Sequence, residues 1–268
     1  MTLPVYEVYA LRFATLAASA KDSFLLRADV HDGPIQLDFF IWAVRNRERT
    51  FVFDTGFGHE ASARRRRALM RHPVEALARI GIDAGTVSDV ILSHLHYDHS
   101  GNSEFFNQAT FHIQDDEMQF ATGRCMCHTA LNGAFDVKNV TDLVNHVYNG
   151  RVKFHQGDAA LAPGISVHRI GGHTGGMQVM RVHTERGWVV LASDASHYYR
   201  NFLTDNPFPI VLNIADVIEG NQTLLALADS PQHIVPGHDP QVLTIYPRHP
   251  EDEEIACLHL PPLAAVAL

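Results

Sequence analysis

The six residues His94-Leu95-His96-Tyr97-Asp98-His99 pack four strong metal-binding side chains into one short stretch, following the apolar run Val90-Ile91-Leu92. Alternate imidazoles at a strand end project to the same side, so His94 and His96 can close on one cation. Asp98 and His99 lie further round the turn and can reach a second cation nearby. Three later segments offer further ligands, each behind an apolar, strand-like run: Gly171-Gly172-His173-Thr174-Gly175, Ser193-Asp194-Ala195-Ser196 and Pro236-Gly237-His238-Asp239. Imidazole and carboxylate donors suit zinc-like ions, and catalytic sites keep one position open for water. This pattern ties four strand ends to one site.

The rest of the chain reads as mixed strands and helices. Residues 5–14 and 35–45 predict strands, joined by a loop from Lys21 to Pro34 that carries Phe24, Leu25 and Leu26. Thr50-Phe51-Val52-Phe53 predicts a short buried strand ending at Asp54-Thr55-Gly56. Residues 60–80 predict a helix bent near Pro73. Further strands are expected at 87–92, 109–113, 151–154, 165–170, 177–183, 188–192 and 233–235. Helices are expected from about Asp115 and over 213–229, and 122–150 reads as an irregular insertion with a helix near 140–148. With 268 residues and 46% hydrophobic content, the chain can bury a sizeable core as one domain, 1–268.

The order H-x-H-x-D-H, then a Gly-His-Thr loop, then Ser-Asp, then Pro-Gly-His resembles the metallo-β-lactamase superfamily across nearly the whole chain. The resemblance implies an α+β fold, an αββα sandwich with the metal loops at strand ends. It puts His94, His96 and His173 on one metal, puts Asp98, His99 and His238 on the other, and makes Asp194 bridge both. Two Zn²⁺ per chain are the expected cofactors, with Fe, Co or Mn as alternatives. It also makes Asp54 a buried carboxylate that orients a ligand histidine; the lesser alternative from residue type is a turn former. The bridging aspartate separates the chain from the antibiotic-hydrolysing members. Histidine rather than glutamate at the second motif position, His96, disfavours the flavodiiron oxidoreductases.

Within that superfamily, Val5 to Arg12, His31-Asp32-Gly33-Pro34 and Ser193 to Tyr199 look like the N-acyl homoserine lactonase branch. The implied function is ring opening of a small lactone, foremost an N-acyl homoserine lactone, as in quorum quenching, by attack of a metal-bridging hydroxide. Metal ligation lowers the pKa of water from 15.7 toward about 7. Two divalent cations, two aspartates and one hydroxide leave the core near about +1, which tolerates a neutral ester. In that branch a tyrosine stands three residues past the bridging aspartate and helps hold the substrate. His197 fills the slot here and Tyr198 follows it, so both are candidate substrate helpers. His197 has an unperturbed pKa near 6.5 that suits proton donation to a leaving alkoxide.

Other readings stay open. They are another lactone, a glyoxalase II-like thioesterase, a metal-binding regulator and an iron-dependent oxidoreductase. About thirty residues follow His238, too few for the helical glutathione-binding domain of glyoxalase II enzymes. The formal charge of −9 disfavours nucleic acid as a partner. The run Arg64-Arg65-Arg66-Arg67 reads first as a solvated helix face with salt bridges and second as an anion-capturing element. Three cysteines cannot pair without one left over, which suits a reducing compartment, and Cys125-Met126-Cys127-His128 is not a separate metal site on its spacing. The N-terminus lacks a signal-peptide pattern and no run approaches a membrane span, so a cytoplasmic location without membrane attachment is expected. The apolar tail Leu260–Leu268 is expected to pack on the core or on a neighbouring subunit, and a homodimer is common in this branch.

Overall fold

Strands Glu7–Ser19 and Pro34–Arg45 alternate two sets of apolar side chains, and both sets are buried. Val8, Ala10, Phe40, Trp42 and Val44 face one hydrophobic core, while Tyr9, Leu11, Phe13, Phe39 and Ile41 face another. A strand with no polar face must be covered on both sides. The computed structural model, which describes residues 3–26 and 33–266, shows how this is achieved. Two sheets stack face to face and helices close the outer faces.

The first sheet runs in the order Arg248–His249, Asp252–Cys257, Glu7–Ser19, Pro34–Arg45, Thr50–Phe53, Asp89–Ile91, Thr110–Gln114, Val152–His155, with Ala68–Leu69 paired beside Glu7–Ser19. Its last four strands are parallel and its first members antiparallel. The second sheet runs Ile234–Pro236, Gly187–Ser193, Gln178–Thr184, Ile165–Arg169, Ala159–Ala162. Between them Trp42, Phe51, Phe53 and Ile91 meet Val167, Val182, Val189 and Leu191. Each such side chain contributes roughly 1.5–3 kcal/mol by leaving water. Outside the first sheet, helices Pro73–Arg79 and Val137–Tyr148 bury Ala76, Leu77, Val140 and Leu143. Helix Ile214–Leu227 lays Leu224 on the second sheet's side of the core. This is the expected αββα sandwich.

The helix expected over 60–80 is two helices, His59–Arg65 and Pro73–Arg79, separated by the strand Ala68–Leu69. The first stops where Arg66 turns left-handed at φ 54°. The second cannot extend backwards, because Pro73 forces His72 into an extended conformation. His72 instead caps it, accepting from Val74 N–H, while Glu75 accepts from His72 N–H. Four strands escape sequence reading: Ala68–Leu69, Ala159–Ala162, Arg248–His249 and Asp252–Cys257. The C-terminal tail packs partly on the inter-sheet core through Val266. Among the described residues no helix is long and apolar enough to cross a membrane. Of the lactonase-like phrase at 31–34, His31 and Asp32 lie outside the described residues.

Strands Glu7–Ser19 and Pro34–Arg45 pair over their full length, from Glu7↔Arg45 to Ser19↔Pro34, with a register shift between Arg12 and Ala14. Their far ends therefore project past the rest of the sheet and stand beside the strand ends that carry the His and Asp cluster.

Candidate active site

All seven ligand candidates meet at one edge of the sandwich. His94, His96, His173 and Asp194 present ligand atoms within 4.8 Å of one another, as do Asp98, His99 and His238. Asp194 sits between the two groups. Its Oδ2 lies 3.3 Å from His173 Nε2 and 3.9 Å from His94 Nε2. Its Oδ1 lies 3.3 Å from His99 Nε2 and 3.0 Å from His238 Nε2. One carboxylate thus turns one oxygen to each group. Asp98 Oδ2 completes the second group at 3.7 Å from His99 Nε2 and 3.9 Å from His238 Nε2.

The outer nitrogens of four of these five rings are occupied, which fixes the inner ones. His99 Nδ1 donates to Asp54 Oδ2 at 2.8 Å, His173 Nδ1 to the Ile210 carbonyl at 2.7 Å, and His238 Nδ1 to the Asp38 carbonyl at 2.7 Å. His94 Nδ1 meets Ser93 Oγ at 2.9 Å. Each donated N–H leaves a lone pair on the other nitrogen, aimed inward. Three imidazole nitrogens then crowd together: His173 Nε2 stands 3.1 Å from His94 Nε2 and 2.9 Å from His96 Nδ1. Buried His99 Nε2 and Asp194 Oδ1 have no hydrogen-bond partner among the described residues. Buried acceptors left facing one another are costly unless a cation lies between them. The donor set, five imidazoles with two aspartates, suits zinc-like ions, so the residues fit the two metals that the sequence implies.

Burial and the neighbouring imidazoles hold His94 and His96 well below the usual histidine range. Burial alone would raise Asp194, but His238, His99 and His197 outweigh it and keep the carboxyl well below its usual range. Burial would likewise lower His99, yet Asp194, Asp98 and Asp54 raise it well above. The cluster therefore favours an anionic Asp194.

Asp54 is the hub of the support. It is fully buried and accepts from Ser93 N–H at 2.7 Å, Ser93 Oγ–H at 2.8 Å, Ser193 Oγ–H at 3.0 Å and His99 Nδ1–H. To do so, Asp54 and Ser193 adopt left-handed backbones, φ 62° and 45°, a strain that surrounding bonds must hold. Sequence reasoning missed Glu117. This fully buried carboxylate accepts from Leu95 N–H at 2.9 Å, Thr174 Oγ1–H at 2.6 Å and Gly176 N–H at 3.0 Å. It ties the His94–His99 loop to the His173 loop. Two glycines allow the close approach. A Cβ on Gly237 would stand 2.7 Å from Ser193 O, and Gly172, at φ 106°, would bring a Cβ within 2.5 Å of Val217 N.

The cluster opens into a cleft of about 460 Å³. Its apolar wall comes from the projecting strand ends, Leu16, Ala18, Leu37 and Phe39, with Ala134 and Ile210. Phe24, Leu25 and Leu26 are not in that wall: Phe24 is buried against Tyr198, and Leu25 and Leu26 are exposed outside. Of the insertion at 122–150, Ala134 reaches the cleft and Phe135 packs edge-on against His96. His197 lines the cleft, stacked on Phe208 at 3.6 Å, with Nε2 3.0 Å from Asp194 Oδ2. Burial, only partly opposed by Asp194, pushes this imidazole down to about 4. Tyr198 is elsewhere. Its hydroxyl donates to the Gln36 carbonyl at 3.3 Å, its ring packs on Phe24, and it does not line the cleft. Cys125 and Cys127 are free thiols in a short turn, outside every group of converging ligands among the described residues.

The arginine run works chiefly as a strap. Arg64 and Arg65 both pair with Asp136, and Arg65 also donates to the Gly133 and Phe135 carbonyls. They bind helix His59–Arg65 to the insertion beside His96.

An αββα sandwich with two groups of His and Asp ligands sharing one carboxylate at its edge defines a class of metal-binding protein. The chain belongs to the metallo-β-lactamase superfamily, whose family profile matches residues 40–238. It is similar to the N-acyl homoserine lactonase AiiA of Bacillus thuringiensis subsp. kurstaki, 29% identical over 136 residues, 50% of this chain and 49% of that protein. It is also similar to the N-acyl homoserine lactonase AiiB of Agrobacterium fabrum, 31% identical over 132 residues, 48% of this chain and 47% of that one. The match thus spans about half the length of these curated relatives. The fold resembles the crystal structure of a quorum-quenching N-acyl homoserine lactone lactonase, with a TM-score of 0.73 over 90% of this chain and 95% of that one at 22% identity. It also resembles AidC, a dizinc quorum-quenching lactonase, with a TM-score of 0.68 over 90% of both chains at 19% identity.

Proposed function

We propose that this protein is a metal-dependent hydrolase that opens the ring of a small lactone, foremost an N-acyl homoserine lactone. The observation that carries this reading is Asp194, whose two oxygens each face one ligand group beside a cleft with an apolar wall. The relatives named as N-acyl homoserine lactonases support the substrate class. His94, His96, His173 and Asp194 would hold one divalent cation, and Asp98, His99, His238 and Asp194 the other. Zn²⁺ suits this donor set. When bound, such a pair supplies water activated at neutral pH and an electrophile for the ester carbonyl.

The chain's own residues do the rest. Leu16, Ala18, Leu37, Phe39 and Ile210 exclude water from the acyl side, and ligand clefts are mostly apolar with a few polar anchors. His197 spends its Nε2 on Asp194 Oδ2, so it steers the shared carboxylate rather than protonating a leaving alkoxide. Tyr198 props the strand Pro34–Arg45 through Gln36 and supports the cleft wall from behind.

A panel of lactones assayed by proton release tests the reading. N-acyl homoserine lactones should be opened, with kcat/KM rising as the acyl chain lengthens, since each buried CH₂ contributes at most about 0.8 kcal/mol. The gain should stop where the wall ends. Activity on thioesters or phosphodiesters with none on any lactone would overturn the substrate class.

A further inference from the structure

Tyr97 and Arg67 form a pair that the hydrolytic chemistry leaves unused. Arg67 Nε donates to Tyr97 Oη at 3.0 Å, and Arg67 Nη1 donates to the Arg65 carbonyl at 3.0 Å. The Arg65 guanidinium covers the Tyr97 ring at 3.9 Å, and the Phe57 ring packs on it at 5.5 Å. The phenol is therefore held in one place. Tyr97 and Arg67 both line the metal cleft, beside Asp98 and His96. The ring also touches a neighbouring cavity around His59 and His72, which Arg67 does not line, so the hydroxyl that Arg67 grips is on the cleft side.

Two donors remain at this spot. The Tyr97 hydroxyl accepts from Arg67, and its own proton has no acceptor among the described residues. The guanidinium has five N–H donors, of which two are spent on Tyr97 and Arg65. Arg64 and Arg65 are neutralised by Asp136, whereas Arg67 pairs with no carboxylate among the described residues. A phenol O–H and a guanidinium N–H side by side match one ligand chemistry, an oxygen acceptor. The opposite wall, Leu16, Ala18, Leu37 and Phe39, carries only the neutral hydroxyls of Ser19 and Ser23 as side-chain donors.

We infer that Tyr97 and Arg67 are the specificity-determining anchor of the cleft, donating to a second oxygen acceptor that the substrate carries beside its scissile ester. Arg65 positions the phenol. This rests on the lactonase reading and narrows it to lactones bearing a carbonyl on the acyl part, as an acyl amide or a 3-oxo-acyl amide does. Plain alkyl lactones give the pair nothing to hold.

The test compares Tyr97→Phe and Arg67→Gln with the parent enzyme on three substrates of similar length: an alkyl γ-lactone, an N-acyl homoserine lactone and its 3-oxo counterpart. Metal content is measured in each protein. The expected result is a loss of kcat/KM at least tenfold greater on an amide-bearing lactone than on the alkyl lactone, in both variants, with metals per chain unchanged. The two amide-bearing substrates separate which carbonyl is held: a loss equal on both assigns the amide, and a larger loss on the 3-oxo compound assigns the 3-oxo group. Equal losses on all three substrates, or no loss on any, would overturn the anchor. A parent enzyme that opens none of the three overturns the lactonase reading, and this inference with it.

Discussion

Asp98→Asn and His99→Ala are each expected to lower kcat/KM at least about 100-fold while the chain still folds. Both residues belong to the second ligand group. Asp98 Oδ2 lies 3.7 Å from His99 Nε2 and 3.9 Å from His238 Nε2, and among the described residues the one other carboxylate grouped with these imidazoles is Asp194, which already faces both groups. Removing either ligand leaves the first group, His94, His96 and His173, intact. The variants should therefore retain one metal and lose the second. His197→Ala, which frees Asp194 Oδ2 without removing a proposed ligand, should cost less, about tenfold, and Tyr198→Phe less again. Steady-state kinetics with metal analysis check this ordering. Near-parental turnover in Asp98→Asn, or a larger loss in Tyr198→Phe than in His99→Ala, contradicts it.

Asp54→Asn should be the most damaging change that touches no proposed ligand–metal contact. Asp54 accepts four hydrogen bonds in a site with no solvent access. An amide offers one oxygen and turns an NH₂ toward donors. At least one of Ser93 N–H, Ser93 Oγ–H, Ser193 Oγ–H and His99 Nδ1–H then loses its acceptor, at about 1–3 kcal/mol for each buried donor left unpaired. His99 loses the bond that fixes its inward lone pair. Metal affinity is expected to fall about 10–100-fold, with a lowered melting temperature in the metal-free protein. Competition with a chelator and thermal denaturation measure the two effects. Parental metal affinity in Asp54→Asn would show that the orienting bond is idle.

Much of the fold and cluster was legible because period and punctuation coincide. Thr50–Phe53 was read with its observed bounds, and each ligand segment follows a strand because an apolar run ends where the polar ligand begins. The supports were not legible. Glu117 stands on a helix start that reads as ordinary capping charge, and its partners Leu95, Thr174 and Gly176 are distant in sequence. The Arg67–Tyr97 pair likewise needs the turn at Arg66 before the two can meet. The strand Asp252–Cys257 was missed because Asp252-Glu253-Glu254 masks its alternation. Asp252 is charged because it pairs with Arg71 and Arg79, a contact no local pattern announces. Tyr198 illustrates the opposite failure. A one-residue offset in an extended segment turns a side chain to the other face, so Tyr198 meets Gln36 while His197 meets Asp194.

Whether a metal pair bridged by Asp194 at this edge opens lactones is decided by titrating metal-stripped protein with Zn²⁺ while following proton release from an N-acyl homoserine lactone and identifying the product by mass. Ring-opened N-acyl homoserine is expected, with the rate rising until two equivalents per chain are bound and Asp194→Ala showing little activity at any loading. Full activity at one equivalent, or no ring opening at two, would contradict this role of the pair.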